Sequence, residues 1–205
     1  MPEADVLYSD LVFDNSQRNG GRDGASSAPE SQYASVKVAK TQSKSQRDGV
    51  CWKCSYGWEL YGKSCYKFSI TNSTWEVSKK FCRYQNSDLV KIDSLDEQRF
   101  LESKLRDKMA FQEDKFWIGL TDSSLEGQWL WVDGSPLNVS LTFWGRGEPD
   151  NWSGEDGKVG EDCVRMGEKD GAHDLRCWFD KACNAKHKCI CETAAQRGQQ
   201  SCTYF

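Results

Sequence analysis

The stretch FWIGLTDSSLEGQWLWVDG, residues 116–134, determines the fold class that we expect for this chain. Residues 116–120 are an apolar run of the kind that forms a buried strand. Residues 128–132 alternate as a second strand does, and they close on Asp133-Gly134, which is a turn signal. The stretch therefore predicts two short strands joined by a polar connection.

Two helices are predicted before this stretch. Residues 74–85 repeat apolar and small side chains at three- and four-residue spacing, which indicates an amphipathic helix. The sequence Ser-Leu-Asp-Glu at residues 94–97 is a capping-box pattern, and the helix that it begins ends before Phe111. Still earlier, residues 56–68 alternate aromatic residues around a glycine and predict a strand or a hairpin.

Short strands and one long loop are predicted after the stretch. The strands are residues 164–166, 175–179 and 188–192. Residues 145–160 are rich in Gly, Asp, Glu and Asn, and loops of this length in compact domains are usually functional. Two helices, short strands and a long polar loop together indicate an α+β domain.

The cysteines and tryptophans delimit that domain. All ten cysteines and all nine tryptophans lie at or beyond residue 51. Residues 1–50 are polar and have too little apolar surface to offset the entropy of ordering, so they are predicted to be a disordered tail. We therefore expect a compact domain over residues 51–192 and a polar C-terminal tail over residues 193–205. The net charge of −4 argues against nucleic-acid binding.

The cysteine content indicates an oxidising compartment, yet the sequence has no recognisable entry signal. Its first residues, MPEADVLYSD, lack the basic and apolar regions of a secretory signal peptide. No apolar run approaches the length of about 20 residues that spans a bilayer. The compartment is therefore predicted by the cysteines alone.

Eight features, in their order and spacing, resemble a C-type lectin-like domain over residues 54–192. They are Cys65-Tyr66, Cys82, Trp117-Ile118-Gly119-Leu120, Glu148-Pro149-Asp150, Cys163, Trp178-x-Asp180, Cys183 and Cys191-Glu192. The resemblance implies a double-loop α+β fold with two helices, two small antiparallel sheets and a long loop region that carries calcium and sugar.

The same resemblance implies three disulfides and leaves four cysteines over. The implied pairs are Cys54 with Cys65, Cys82 with Cys191, and Cys163 with Cys183. Cys177 and Cys189 are expected in neighbouring strands, where they could form a further bridge. Cys51 and Cys202 flank the domain and could join each other, join a second chain in a disulfide-linked homodimer, or remain free thiols.

A calcium site is also implied, because hard oxygen ligands suit an ion that takes six to eight of them. The ligands carried over from the family are Glu148, Asp150, Glu161 and Asp180. The family usually has an Asn between the Trp and the Asp of the late motif, whereas this chain has Phe179. A cis Glu148–Pro149 bond is implied as well.

The loop that follows the triplet resembles that of the asialoglycoprotein receptor and macrophage galactose lectin group. Trp152 would stack there on the apolar face of galactose, so a galactose-type glycan is favoured, although the triplet itself is a hybrid of the mannose and galactose types. In the competing interpretation these carboxylates only solvate a loop, and the domain binds a cell-surface protein without metal. Four other tryptophans are predicted to be core residues: Trp117, Trp129, Trp131 and Trp178.

Two tyrosines of the predicted tail, Tyr8 and Tyr33, fit an inhibitory tyrosine motif. Each has Val or Ser two residues before it and Leu or Val three residues after it. A phosphate would fill the arginine pocket of a Src-homology-2 domain, and the later aliphatic residue would fill an apolar pocket. Two such motifs suit a tyrosine phosphatase with tandem modules, since linked binding raises avidity.

Together these features resemble an inhibitory receptor of type II orientation at the plasma membrane. Its transmembrane segment is expected near residues 44–51, and a variant lacking that segment would explain why residues 47–50 run directly into the domain. In such a receptor Asn72 and Asn138 begin sequons for surface glycosylation.

Three other classes of function compete with this receptor. A soluble calcium-dependent galactose-type lectin without a signalling role is the main alternative. A cytosolic zinc protein would use soft ligands, namely Cys51, Cys54, His187, Cys189 and Cys191. An enzyme is not expected, because neither His173 nor His187 accompanies a nucleophile in a recognisable motif.

Overall fold

A computed structural model describes residues 51–153 and 160–198. These residues form two helices, α1 (Trp75–Tyr84) and α2 (Leu95–Lys108), and ten strands. The strands are β1 (Cys51–Lys53), β2 (Glu59–Tyr61), β3 (Ser64–Phe68), β4 (Asp88–Leu89), β5 (Phe116–Thr121), β6 (Leu130–Trp131), β7 (Cys163–Met166), β8 (Trp178–Lys181), β9 (Lys188–Ala194) and β10 (Gln196–Gly198). The predicted α+β class is confirmed. Neither helix of this described part is long and apolar enough to cross a membrane.

Both helices begin at side-chain caps. Thr74 accepts a hydrogen bond from the backbone N–H of Val77 at the start of α1. At the start of α2, the Ser94 hydroxyl accepts from the N–H of Glu97 at 3.1 Å, while the Glu97 carboxylate accepts from the N–H of Asp93 at 2.9 Å. These contacts satisfy N–H groups that have no partner within the helix, which is why the capping pattern locates the helix start.

Two antiparallel sheets are joined by one parallel strand pair. The first contains β2, β3, β9 and β4, and the second contains β6, β5, β7 and β8. Strands β5 and β9 run parallel and connect them, with Trp117 opposite Cys189. Gly119 is required in β5, because a Cβ atom there would lie 2.8 Å from the carbonyl oxygen of Leu89.

The end of the domain differs from the sequence prediction. Strand β9 continues to Ala194, and β10 pairs with β1, with Cys51 opposite Gly198. The polar tail was predicted to begin at residue 193, but the strands continue beyond that residue to Gly198. Backbone hydrogen bonds hold the end of β9 and the β1–β10 pair in place. Such bonds do not depend on apolar side chains, so no hydrophobic pattern in the sequence predicts these strands.

The core consists of two buried clusters. In the first, Trp178 makes edge-to-face contacts with Trp131, Phe143 and Trp144 at centroid distances of 5.8, 5.3 and 5.8 Å. The second contains Trp75, Cys82, Leu89, Trp117, Cys163, Cys189 and Cys191. The core prediction is confirmed for Trp117, Trp131 and Trp178, whereas Trp129 is only partly buried and packs against the first cluster.

Three disulfides link the same pairs that the resemblance implies: Cys54–Cys65, Cys82–Cys191 and Cys163–Cys183. Cys51 is disulfide-bonded as well, and Cys202 lies outside the described residues. The predicted Cys177–Cys189 bridge is wrong, because both are free thiols. Strands β5 and β7 lie between β8, which follows Cys177, and β9, which contains Cys189. Neighbouring strands lie about 4.8 Å apart, so two intervening strands keep the sulfurs of Cys177 and Cys189 too far apart to form a disulfide.

The zinc alternative is also wrong. Of its proposed ligands, Cys54 and Cys191 are in disulfides, and so is Cys51. The ring of His187 lies against Trp117 at 4.9 Å, and its Nε2 is 3.2 Å from a guanidinium nitrogen of Arg165. These residues therefore belong to covalent links and to the core.

Candidate cation and ligand site

Three of the predicted metal ligands lie together where the start of the long loop packs against strand β8. One carboxylate oxygen each from Glu148, Asp150 and Asp180 lie within 4.8 Å of one another. Asp180 is almost completely buried, at 2% exposure, and accepts hydrogen bonds from the backbone N–H groups of Asp150 and Asn151 at 3.2 and 2.8 Å. The Glu148–Pro149 bond is cis, as the resemblance implies. Strand β8 thus holds the loop through the same carboxylate that it contributes to the cluster.

The cluster is electrostatically unfavourable on its own. The Oε2 atom of Glu148 is buried and has no hydrogen-bonding partner among residues 51–153 and 160–198. Burial, followed by a hydrogen bond that the protonated carboxyl group shares with Asp180 and by the charges of Asp180 and Asp150, raises the pKa of Glu148 to about 8. A hard cation would relieve both effects, because it supplies positive charge and takes carboxylate oxygens as ligands. The residues present therefore fit Ca²⁺.

The fourth predicted ligand, Glu161, lies beside this group and is not one of the three. Its buried carboxylate forms a salt bridge with the ammonium group of Lys181, the residue after Asp180. Burial raises the pKa of Glu161, although this salt bridge opposes the shift. The backbone N–H of Glu161 donates to the Asn151 side chain at 2.9 Å, so Glu161 is fixed to strand β8 by its side chain and to the loop by its backbone.

Phe179 contributes no oxygen, as its identity requires, and its ring packs against Gly145. A Cβ atom at Gly145 would lie 2.7 Å from this ring, so only glycine leaves room for it. The ammonium group of Lys115 lies 4.1 Å from the ring centroid. The ring also lines an open groove of about 840 Å³ that includes Arg146 and His173.

Trp152 is the exposed aromatic residue of the loop. Its side chain is 57% exposed, and its backbone N–H donates to the Asp150 carboxylate at 3.1 Å. The ammonium group of Lys181 lies 5.2 Å from the indole centroid, which is a cation–π distance. Residues 154–159 of the predicted long loop lie outside the described part of the chain.

Sequence reasoning missed a second acidic cluster formed by Asp122, Glu126 and Asp162, whose ligand atoms also lie within 4.8 Å of one another. Asp122 is 2% exposed, and its Oδ1 has no partner within the described ranges. Burial and the charges of the other two carboxylates raise the pKa of Asp122 to about 6. The sequence feature that could have indicated this cluster is the pair of acidic residues Asp122 and Glu126, four residues apart in the connection after β5.

Comparison with known proteins identifies the family. The family described as "Lectin C-type domain" matches residues 71–193. The chain belongs to the C-type lectin family. Human C-type lectin domain family 4 member E is 41% identical over 139 residues, which are 68% of this C-type lectin. CD209 antigen-like protein C of the mouse is 37% identical over 165 residues, which are 80% of each chain.

Solved structures agree with this assignment. The carbohydrate-recognition domain of the mouse scavenger receptor C-type lectin has a TM-score of 0.59 and 33% identity, and covers 70% of this C-type lectin and all of that chain. The C-type lectin domain of murine dendritic cell inhibitory receptor 2, in complex with an N-glycan, has a TM-score of 0.57 and 30% identity, covering 69% and 99%. The chain spans 58% and 59% of the human and mouse family 4 member E proteins that it matches.

Proposed function

We propose that this domain binds a glycan through a calcium ion held by Glu148, Asp150 and Asp180. The observation that carries the proposal is the buried, unpartnered Oε2 atom of Glu148 within a group of three carboxylates. Bound calcium supplies a Lewis-acidic centre that takes hydroxyl oxygens as additional ligands. Asp180 orients the loop for this task through its two backbone hydrogen bonds.

A galactose-type glycan is the ligand class that we favour. The exposed indole of Trp152 follows Asp150 by two residues, and an aromatic face packs on the apolar face of a sugar ring. A glycan ligand is also supported by the related receptor domain that was solved with an N-glycan. Glu161 would join the calcium ligands only by releasing Lys181. The cluster of Asp122, Glu126 and Asp162 would hold a second ion.

Calcium is expected to stabilise the full chain against heat. A ligand at 100 times its dissociation constant adds about 2.7 kcal/mol, which for a domain of this size corresponds to an increase in Tm of roughly 5–10 °C. Thermal unfolding at increasing calcium concentrations measures this, and competition between galactose and mannose for the calcium-loaded chain then tests the sugar class. If millimolar calcium left Tm unchanged, the metal-free alternative, recognition of a cell-surface protein, would replace this proposal.

We further propose that the full protein is a type II plasma-membrane receptor that signals through Tyr8 and Tyr33. These tyrosines lie outside the described residues, so this part rests on the sequence motifs. A form with a transmembrane segment near residue 50 would put the disulfides outside the cell and the tyrosines inside it. Asn72 and Asn138 are both exposed, which supports their glycosylation. A disulfide-linked homodimer also stays a prediction.

A doubly phosphorylated peptide of residues 1–40 is expected to capture tyrosine phosphatases with tandem Src-homology-2 domains. The same peptide with Tyr8→Phe should lose most of the capture, because a single phosphotyrosine lacks the avidity of two linked sites. Pull-down with purified phosphatase measures this. Equal capture by the unphosphorylated peptide would contradict the signalling role and favour the soluble lectin.

A further inference from the structure

The free thiol of Cys189 lies beside the disulfide that ties α1 to β9. The sulfur atoms of Cys82, Cys189 and Cys191 all lie within 4.8 Å of one another, and all three residues are buried. Cys189 and Cys191 are alternate residues of β9, so their side chains point to the same face of the sheet. Both therefore face Cys82, and the free sulfur of Cys189 lies within 4.8 Å of both sulfurs of the Cys82–Cys191 disulfide.

We propose that Cys189 is a disulfide-exchange site whose thiolate displaces Cys191 from Cys82. The Cys189 sulfur attacks the Cys82 sulfur, so a Cys82–Cys189 bond forms as the Cys82–Cys191 bond breaks. Cys191 leaves as a thiolate and takes up one proton, which replaces the proton that Cys189 released. The step exchanges one disulfide and one thiol for another disulfide and thiol, so it needs no oxidant or reductant.

The Ser78 hydroxyl is the one available to donate to the thiolate that this step requires, because the Ser69 hydroxyl accepts a hydrogen bond from the Cys189 backbone N–H at 2.8 Å and donates to the Thr71 carbonyl at 3.1 Å. Burial raises the pKa of the Cys189 thiol, and the hydroxyls of Ser69 and Ser78 act against that rise. The Ser78 hydroxyl is buried and has no hydrogen-bonding partner within the described residues, and it lies one turn before Cys82 on α1. It is thus free to donate to a thiolate. Since the thiolate is the attacking species, exchange is slow at neutral pH and accelerates in base.

Cys177 is the residue against which the exchange at Cys189 can be compared. It is also a buried free thiol, but it belongs to the other core cluster and accepts a hydrogen bond from the Gln98 amide at 3.4 Å. It is absent from the three-sulfur group. Exchange is therefore expected of Cys189 and not of Cys177, although both are buried.

The exchange is tested by locating the free thiol in the full, oxidised chain. The chain is incubated at pH 7 and at pH 9, quenched in acid denaturant and labelled with N-ethylmaleimide before digestion with trypsin. Cleavage gives the peptides FCR (residues 81–83) and CICETAAQR (residues 189–197), still joined by their disulfide. Fragment ions then show which cysteine of the second peptide carries the label.

We expect label to shift from Cys189 to Cys191 as incubation proceeds, faster at pH 9, and we expect Cys177→Ser to leave this distribution unchanged. Label on Cys189 alone after prolonged incubation at pH 9 would overturn the proposal. A Cys191→Ser variant gives a second readout that needs no fragment analysis. Its Cys82 should be bonded to Cys189 and resist labelling, whereas Cys82 should be labelled when Cys189→Ser is added. A free Cys82 in the folded Cys191→Ser chain would equally overturn it.

Discussion

Glu148→Gln is expected to stabilise the metal-free chain at pH 8 and to abolish its stabilisation by calcium. The pKa of Glu148 is raised to about 8 in the folded, metal-free chain, from an ordinary value of 4.5. Between those two pH values the folded state binds more protons at this group than the unfolded state, so its contribution to stability falls as pH rises. A neutral amide removes that fall, and it also removes an anionic ligand from the calcium cluster.

The measurement is Tm of parent and variant from pH 5 to pH 8, once in EDTA and once in calcium. In EDTA the variant's Tm should exceed the parent's by an amount that grows with pH, while in calcium the order should reverse. Asp107→Asn is the matched control, because it removes an exposed carboxylate of α2 that belongs to neither acidic cluster. A calcium response of the variant equal to the parent's would contradict the assignment of Glu148 as a ligand.

Trp178→Ala is expected to reduce stability, whereas Trp152→Ala is expected to reduce galactose binding. Trp178 is fully buried, and its indole N–H donates to the Gln98 side chain at 3.0 Å, so its loss leaves a cavity and an unpaired amide oxygen. Such truncations destabilise by about 3–5 kcal/mol. Trp152 is 57% exposed, so its truncation should change stability by less than about 0.5 kcal/mol while weakening galactose binding by roughly tenfold.

Urea unfolding and galactose binding in saturating calcium separate the two roles. Each substitution serves as the control for the other, since both remove an indole. Binding that survives Trp152→Ala unchanged would exclude stacking on this residue. A small stability change in Trp178→Ala would contradict its central position among Trp131, Phe143 and Trp144.

The sequence predicted those elements whose signals are local. Ser94 and Glu97 located the start of α2 because their side chains bond the helix end. Strand β8 begins at Trp178, later than predicted, because Leu175 has a φ of 64°, outside the extended region. Strands β1, β4 and β10 were missed, since backbone pairing with distant partners stabilises these short strands.

In the candidate site too, residues within local motifs were predicted, whereas contacts that form only on folding were not. Glu148, Asp150 and Asp180 stand in motifs, and the fold brings them together. The salt bridge that engages Glu161 depends on where the ammonium group of Lys181 lies after folding. Likewise, Asp162 meets the connection after β5 only through tertiary structure, so that second cluster could not be predicted from spacing alone.

The pairing of β1 with β10 brings the first residue of the domain next to its last described residue. The chain enters at Cys51 and reaches its last described residue opposite it, at Gly198. Because Cys51 is also disulfide-bonded, a covalent link and a hydrogen-bonded ladder together fix the position at which the chain enters the domain.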